Sequence, residues 1–231
     1  MTPTDIPRVK VCCISSVEEA RAAVRHGASA IGLVSEMPSG PGVIPEEMIS
    51  EIARATPPSV STFLLTSRQD AREIIEQHRR CRTSTIQICD RLERGDYEEL
   101  RAALPSVKLV QVIHVSGEES VDEALAAASR VDAILLDSGN QVLRVKELGG
   151  TGRTHDWAVS RRIREAVSVP VFLAGGLNPG NVVEAIRQVG PFGVDLCSGV
   201  RTDGRLDEVK LSSFFARVET CRQRVDDTQR R

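Results

Sequence analysis

Eight short runs rich in Val, Ile and Leu recur along the 231-residue chain, and each is followed by a stretch whose apolar residues fall three or four apart. The pattern predicts strands over 9–14, 30–34, 60–66, 85–89, 108–114, 133–137, 169–174 and 194–197. Amphipathic helices are expected over 17–26, 45–55, 71–80, 97–104, 121–129, 157–167, 181–189 and 206–218. Strict strand–helix alternation demands parallel strands joined by crossover helices, and eight such units are the number at which a parallel sheet closes on a packed interior. An open doubly wound sheet is the rival. It would place its glycine-rich turn after the first strand, whereas here the glycines gather after the late strands. The expected fold is therefore an α/β protein, one (β/α)₈ barrel over residues 1–231, with residues 1–8 and 220–231 as flexible polar ends.

The composition narrows the function. A formal net charge of -2 gives no electrostatic bias toward nucleic acid or a membrane surface. At 3% aromatic residues, there are too few rings to build stacking platforms for bases. The six cysteines contain no C-x-x-C pair and the four histidines do not cluster, so no metal centre is expected. Free thiols and the lack of an apolar leader point to a cytoplasmic protein.

A parallel barrel delivers its chemistry from the C-terminal ends of its strands, and phosphate sites there form after strands seven and eight. Three small turns stand at that end: Gly149-Gly150-Thr151-Gly152, Gly175-Gly176-Leu177-Asn178 and Ser198-Gly199-Val200. Glycine lets backbone N–H groups approach an anion closely, so Gly150, Thr151, Gly152, Gly175, Gly176, Ser198 and Gly199 are candidate phosphate ligands. Taken singly, each turn could equally be a tight βα connection.

Asp137 ends the apolar run Ala133-Ile134-Leu135-Leu136, where a strand presents its last side chain to the mouth. It either caps the next loop or acts as a general acid. Cys12 and Cys13 end the first run, and alternation should send only one of them to the barrel interior or mouth. A strand cysteine is by default a small inert hydrophobe. Asp195, amid Val194 and Leu196, needs either an internal salt bridge or hydrogen bond, or a ligand. Gln87, Gln111 and His114 are further candidates for the mouth.

Together these segments resemble the phosphoribosylanthranilate isomerase family, a (β/α)₈ barrel of tryptophan biosynthesis. The matching residues are Lys10-Val11-Cys12 with Ile14, the strand ending in Asp137, Gly149-Gly150-Thr151-Gly152 with Asp156-Trp157, Leu173-Ala174-Gly175-Gly176-Leu177-Asn178-Pro179, and Gly193-Val194-Asp195 with Ser198-Gly199-Val200. The resemblance implies a cofactor-free Amadori rearrangement, in which a phosphoribosylamine becomes a 1-amino-1-deoxyribulose phosphate. It makes Cys12 the general base and Asp137 the general acid. The implied partner is a small phosphorylated sugar-amine substrate, with no nucleic acid and no membrane, on a monomer or homodimer.

Departures from the family pattern fall on the side that would hold the aglycone. Cys13 stands where glycine is usual, and Ser39-Gly40-Pro41 replaces a Ser-Pro-Arg segment whose arginine binds the anthranilate carboxylate. Cys89 and Asp90 replace a histidine and a glycine, and Arg201 replaces an acid. Arg201, Asp195 and Gln87 are accordingly expected to contact substrate, with Arg201 a candidate for the missing carboxylate contact. The alternative is a non-catalytic or differently specific sugar-phosphate-binding barrel.

Overall fold

The structure is a computed structural model that describes residues 7–139, 145–150 and 152–229, with side chains described as far as Cys221. Thr151, one of the candidate phosphate ligands, lies outside the described residues.

Eight parallel strands close into a ring in sequence order: β1 (Arg8–Val11), β2 (Ala30–Val34), β3 (Ser61–Thr66), β4 (Thr85–Ile88), β5 (Lys108–His114), β6 (Ala133–Asp137), β7 (Val171–Leu173) and β8 (Gly193–Leu196). Each is followed by a helix: α1 (Val17–Arg25), α2 (Glu46–Ala55), α3 (Ala71–Cys81), α4 (Tyr97–Ala103), α5 (Glu119–Ala128), α6 (Trp157–Ala166), α7 (Val182–Val189) and α8 (Glu208–Gln229). β1 pairs with β8 over four registered positions, from Arg8 with Gly193 to Val11 with Leu196, which closes the ring. A short ribbon of β9 (Arg201–Thr202) and β10 (Arg205–Leu206) leads into α8. α8 runs past Val218, where the apolar stripe ends, because no proline or glycine interrupts the chain up to Gln229.

Local signals set the helix starts. The Ser16, Asp70, Asp96 and Asp156 side chains each accept a hydrogen bond from a backbone N–H of the first turn, at Glu19, Arg72, Glu99 and Ala158. Gly190 ends α7 in the left-handed conformation at φ 63°.

Two apolar cores result. The larger lies between sheet and helices and holds side chains such as Ile31, Leu64, Ile86, Ile113, Leu136 and Leu173. The smaller fills the ring with Ala30, Val34, Phe63, Leu65, Val110, Val112, Leu135 and Phe172. The rings of Phe63 and Phe172 meet edge-on at 6.0 Å.

One ion pair interrupts this interior. Lys10 of β1 is fully buried, and its Nζ donates to Asp195 Oδ2 of β8 at 2.7 Å; the two residues are direct register partners. Nζ also lies 5.2 Å from the centre of the Phe63 ring. Burial, the largest single effect, would lower the Lys10 pKa, but the charge and hydrogen bond of Asp195 together with the nearby Cys12 and Cys13 outweigh it and hold the ammonium protonated well above its ordinary range. The question of what compensates a charge at Asp195 is thus answered within the barrel wall.

Removing one member strands the other charge in the core. Lys10→Met should destabilise the fold by about 3–5 kcal/mol in urea unfolding, and Lys10→Met combined with Asp195→Leu should recover most of that loss. A single-variant cost below about 1 kcal/mol would mean that the pair carries little of the closure.

Candidate active site

The C-terminal ends of the strands surround a cleft with an empty volume of about 680 Å³, counted to its open mouth. Its walls come from Cys12 and Cys13 after β1, the Met37–Pro41 loop, Leu65 of β3, Gln87 of β4, Asp137 of β6, and the turns that carry Gly149, Gly150, Gly152, Gly175, Gly176 and Ser198. Among the described lining residues, the charged side chains are the two carboxylates Asp137 and Asp195.

Both Cys12 and Cys13 reach the cleft, which corrects the expectation that only one could. β1 ends at Val11, and Cys13 turns out of strand geometry with φ 60°, so alternation no longer applies. Room for the Cys12 side chain comes from Gly32 of β2. A Cβ added at Gly32 would lie 2.7 Å from Cys12 Sγ and 3.1 Å from Lys10 Nζ, so thiol and ammonium share the space over that glycine.

Asp137 is 9% exposed. Its Oδ1 accepts from the Ser138 N–H at 2.7 Å, and Oδ2 faces Gly149, where an added Cβ would sit 2.6 Å away. β1 and β6 are three strands apart around the ring, so Cys12 and Asp137 address the cleft from different sides.

The glycine turns interlock. Gly175 and Gly176 adopt φ 82° and 62°, a pair of left-handed residues that L side chains rarely tolerate. An added Cβ at Gly199 would come within 2.1 Å of the Leu177 carbonyl oxygen, so the turn after β8 is packed directly on the turn after β7. Gly199 supports the cradle from behind rather than lining it. With no cationic side chain among the described lining residues, an anion in this corner would be held by backbone N–H groups.

The rest of the mouth differs from expectation. Arg201 does not line the cleft: its guanidinium donates to both Glu19 carboxylate oxygens at 3.0 Å, and to the carbonyls of Gly204 and Cys13. It is held by the start of α1 and by backbone at the end of β1, which removes it as a carboxylate ligand in this arrangement. Gln111 is also turned away. It accepts from Tyr97 Oη at 2.8 Å and donates to the carbonyls of Ile88, Asp90 and Val112. The His114 ring is bound to the Cys89 carbonyl at 3.0 Å. Gln87 does line the cleft, its Oε1 buried without a hydrogen-bond partner.

The contacts that join the loops around the mouth were not expected from the sequence. Lys146 Nζ donates to Asp90 Oδ2 at 2.6 Å, and Ser39 Oγ donates to the Lys146 carbonyl at 2.7 Å, tying the β2, β4 and β6 loops together. Pro41 packs against Gly150 across the same seam. Gly32, which makes room for Cys12, was not named from the sequence either, although an isolated glycine inside an apolar run is a local signal.

The sequence profile described as N-(5'-phosphoribosyl)anthranilate (PRA) isomerase matches residues 9–217. The chain belongs to the phosphoribosylanthranilate isomerase family. It is 38% identical over 214 residues to N-(5'-phosphoribosyl)anthranilate isomerase 2 of Methanosarcina mazei, covering 92% of this chain and 94% of that one. The Haloferax volcanii isomerase is 37% identical over 222 residues, with 95% and 96% covered. Among solved structures, the phosphoribosylanthranilate isomerase of Thermotoga maritima superposes with a TM-score of 0.77 at 29% identity, over 93% of this chain and 99% of that one. Another family structure, in complex with reduced 1-(o-carboxyphenylamino)-1-deoxyribulose 5-phosphate, gives 0.75 at 27% identity, over 93% and 99%. The chain is an isomerase, and no described helix is long and apolar enough to cross a membrane.

The Arg201 clamp makes a pH-dependent prediction. Burial opposes ionisation of Glu19, but Arg201 and the N–H groups of Leu206 and Ser15 outweigh it and hold the carboxyl below its ordinary value of 4.5. Its stabilisation is therefore complete above pH 4.5 and is lost as pH falls through the lower folded value. Glu19→Gln should cost about 1–3 kcal/mol at pH 7 and progressively less below pH 4.5, as read by urea unfolding across pH. An equal cost at all pH values would show that the charge is not what matters.

Proposed function

We propose that this isomerase converts N-(5'-phosphoribosyl)anthranilate to 1-(o-carboxyphenylamino)-1-deoxyribulose 5-phosphate, with Cys12 as general base and Asp137 as general acid. The observation that carries the reading is that Cys12, Asp137 and the late glycine turns line one cleft at the C-terminal ends of the strands. The reaction belongs to tryptophan biosynthesis, the pathway that the family resemblance implies.

The chemistry needs a proton delivered to the furanose ring oxygen and a proton taken from C2. Asp137 gives its proton to the ring oxygen as the C1–O bond breaks, and the aglycone nitrogen stabilises the opened sugar as an iminium. Cys12 then removes the C2 proton, and the resulting enamine tautomerises to the ketose. Because the two groups stand three strands apart, acid and base act on different parts of one sugar without neutralising each other. Gly150, Gly152, Gly175, Gly176 and Ser198, with Gly199 behind them, would fix the 5-phosphate and hold C2 within reach of Cys12. Gln87 and the free Oδ1 of Asp195 supply polar contacts for the sugar hydroxyls. The placement of Arg201 leaves the anthranilate carboxylate to other groups.

The test is loss of phosphoribosylanthranilate fluorescence on addition of enzyme. Cys12→Ser and Asp137→Asn should each lower kcat by about 10²–10⁴-fold, with KM changed far less. Full activity in both variants would overturn the assigned roles. Tight binding of a ribulose phosphate by the unaltered enzyme, with no turnover of any phosphoribosylamine, would support a non-catalytic barrel instead.

A further inference from the structure

We propose that Cys13 and Cys197 form a reversible disulfide at the rim of the cleft, a site of oxidation by hydroperoxides that switches the enzyme off. Topology supplies the first ground. β1 and β8 stay hydrogen-bonded to their very ends, where the Cys12 N–H donates to the Leu196 carbonyl at 2.8 Å. Val11 is paired with Leu196, so Cys12 and Cys197 come next on adjacent strands and Cys13 follows at once. Neighbouring strands lie about 4.8 Å apart, which sets the spacing of Cys12 and Cys197; Cys13, one residue on and turned out of the strand, lines the same cleft as Cys197.

The backbone supplies the second ground. Cys13 is one of three described non-glycine residues with positive φ, and the left-handed turn brings its side chain onto the rim it shares with Cys197. Its Cβ is pressed against Gly42, where an added Cβ would approach to 2.5 Å, and its carbonyl is gripped by Arg201. The Cys13 side chain is thus held between fixed neighbours. Cys197 is only half-buried, open to a small oxidant from the cleft.

The two thiols are chemically unequal. A hydrogen bond from Cys13 lowers the Cys197 pKa against the opposing effect of burial, and the nearby Arg201 charge adds to it. Hydrogen bonds to Cys12 and Cys197, together with burial, push the Cys13 thiol up. Cys197 is therefore the attacking group and Cys13 the resolving one. The Cys197 thiolate attacks one peroxide oxygen: an S–O bond forms, the O–O bond breaks, and the departing alkoxide or hydroxide takes a proton. Cys13 then attacks the sulfenic sulfur, forming S–S as S–O breaks, and its proton leaves with hydroxide as water. Two thiols and one hydroperoxide give one disulfide, one alcohol or water, and one further water.

Cys13 directly follows Cys12 in the chain, so drawing its sulfur toward Cys197 shifts the residue next to the proposed base. A shift of about 1 Å in such a group can cost on the order of 100-fold in rate.

The experiment treats the intact enzyme with hydrogen peroxide and reads free thiols, peptide masses and activity. Two of the six thiols should disappear, a Cys13–Cys197 cross-linked peptide should appear with the mass loss of two hydrogens, and activity should fall at least tenfold and return with dithiothreitol. Cys197→Ser and Cys13→Gly should form no internal disulfide and each keep most of their own starting activity under the same treatment. The activity readout rests on the function proposed above, whereas thiol counting and peptide mapping do not. Six thiols still free after treatment, a disulfide through Cys12, or Cys197 over-oxidised with no cross-link would overturn the proposal, as would inactivation of the variants to the same extent as the parent.

Discussion

Closure of the ring between β1 and β8 governs everything at the mouth, because the last strand must return to the first in a register that aligns their ends. At the middle of that seam lies the Lys10–Asp195 pair, 2.7 Å long and sealed from solvent on the lysine side. A buried ion pair is a poor source of net stability, since desolvation offsets most of the Coulombic gain, but it penalises any register that separates its partners. A slip of one residue would turn Lys10 out of the barrel interior and leave Asp195 unpaired. With the register held, Cys12 and Cys13 emerge beside Cys197, and the glycine turn after β8 settles on the one after β7. The arrangement of the cleft thus begins with a pairing made below it.

The eight-fold alternation was readable because each signal is local. β2, β5 and β6 follow their apolar runs residue for residue, and the caps at Ser16, Asp70, Asp96 and Asp156 are likewise short-range hydrogen bonds within one helical turn. What could not be read is set by distant partners. β1 stops at Val11 because Cys13 turns left-handed, and nothing in the adjoining residues announces that for a cysteine. Arg201 looked free to meet a ligand, but Glu19, 182 positions earlier, claims its guanidinium. Gln111 has the polarity of a mouth residue, yet lies on the wrong face of β5 and ties up backbone beneath Tyr97.

The two halves of the cleft follow different logic. The corner proposed to hold phosphate is built almost wholly from backbone, which is why glycine spacing drew attention to it and why it carries no described cationic side chain. The opposite half depends on side chains that link loops: Lys146 to Asp90, Ser39 to the Lys146 carbonyl, and Pro41 against Gly150. Loops of this kind can vary and so adjust specificity without disturbing the barrel that positions the chemistry.

The central claim is that one cleft holds the phosphate on the late glycine turns while Cys12 and Asp137 reach the sugar from either side. A crystal structure with a reduced, non-reacting analogue of the product tests it most directly. Phosphate oxygens should lie at hydrogen-bond distance from backbone N–H groups of Gly152, Gly176 and Ser198, with C2 against Cys12 Sγ and the 4-hydroxyl, which the ring oxygen becomes on opening, against the Asp137 carboxyl. A phosphate seated elsewhere, or a sugar that contacts neither side chain, would contradict it.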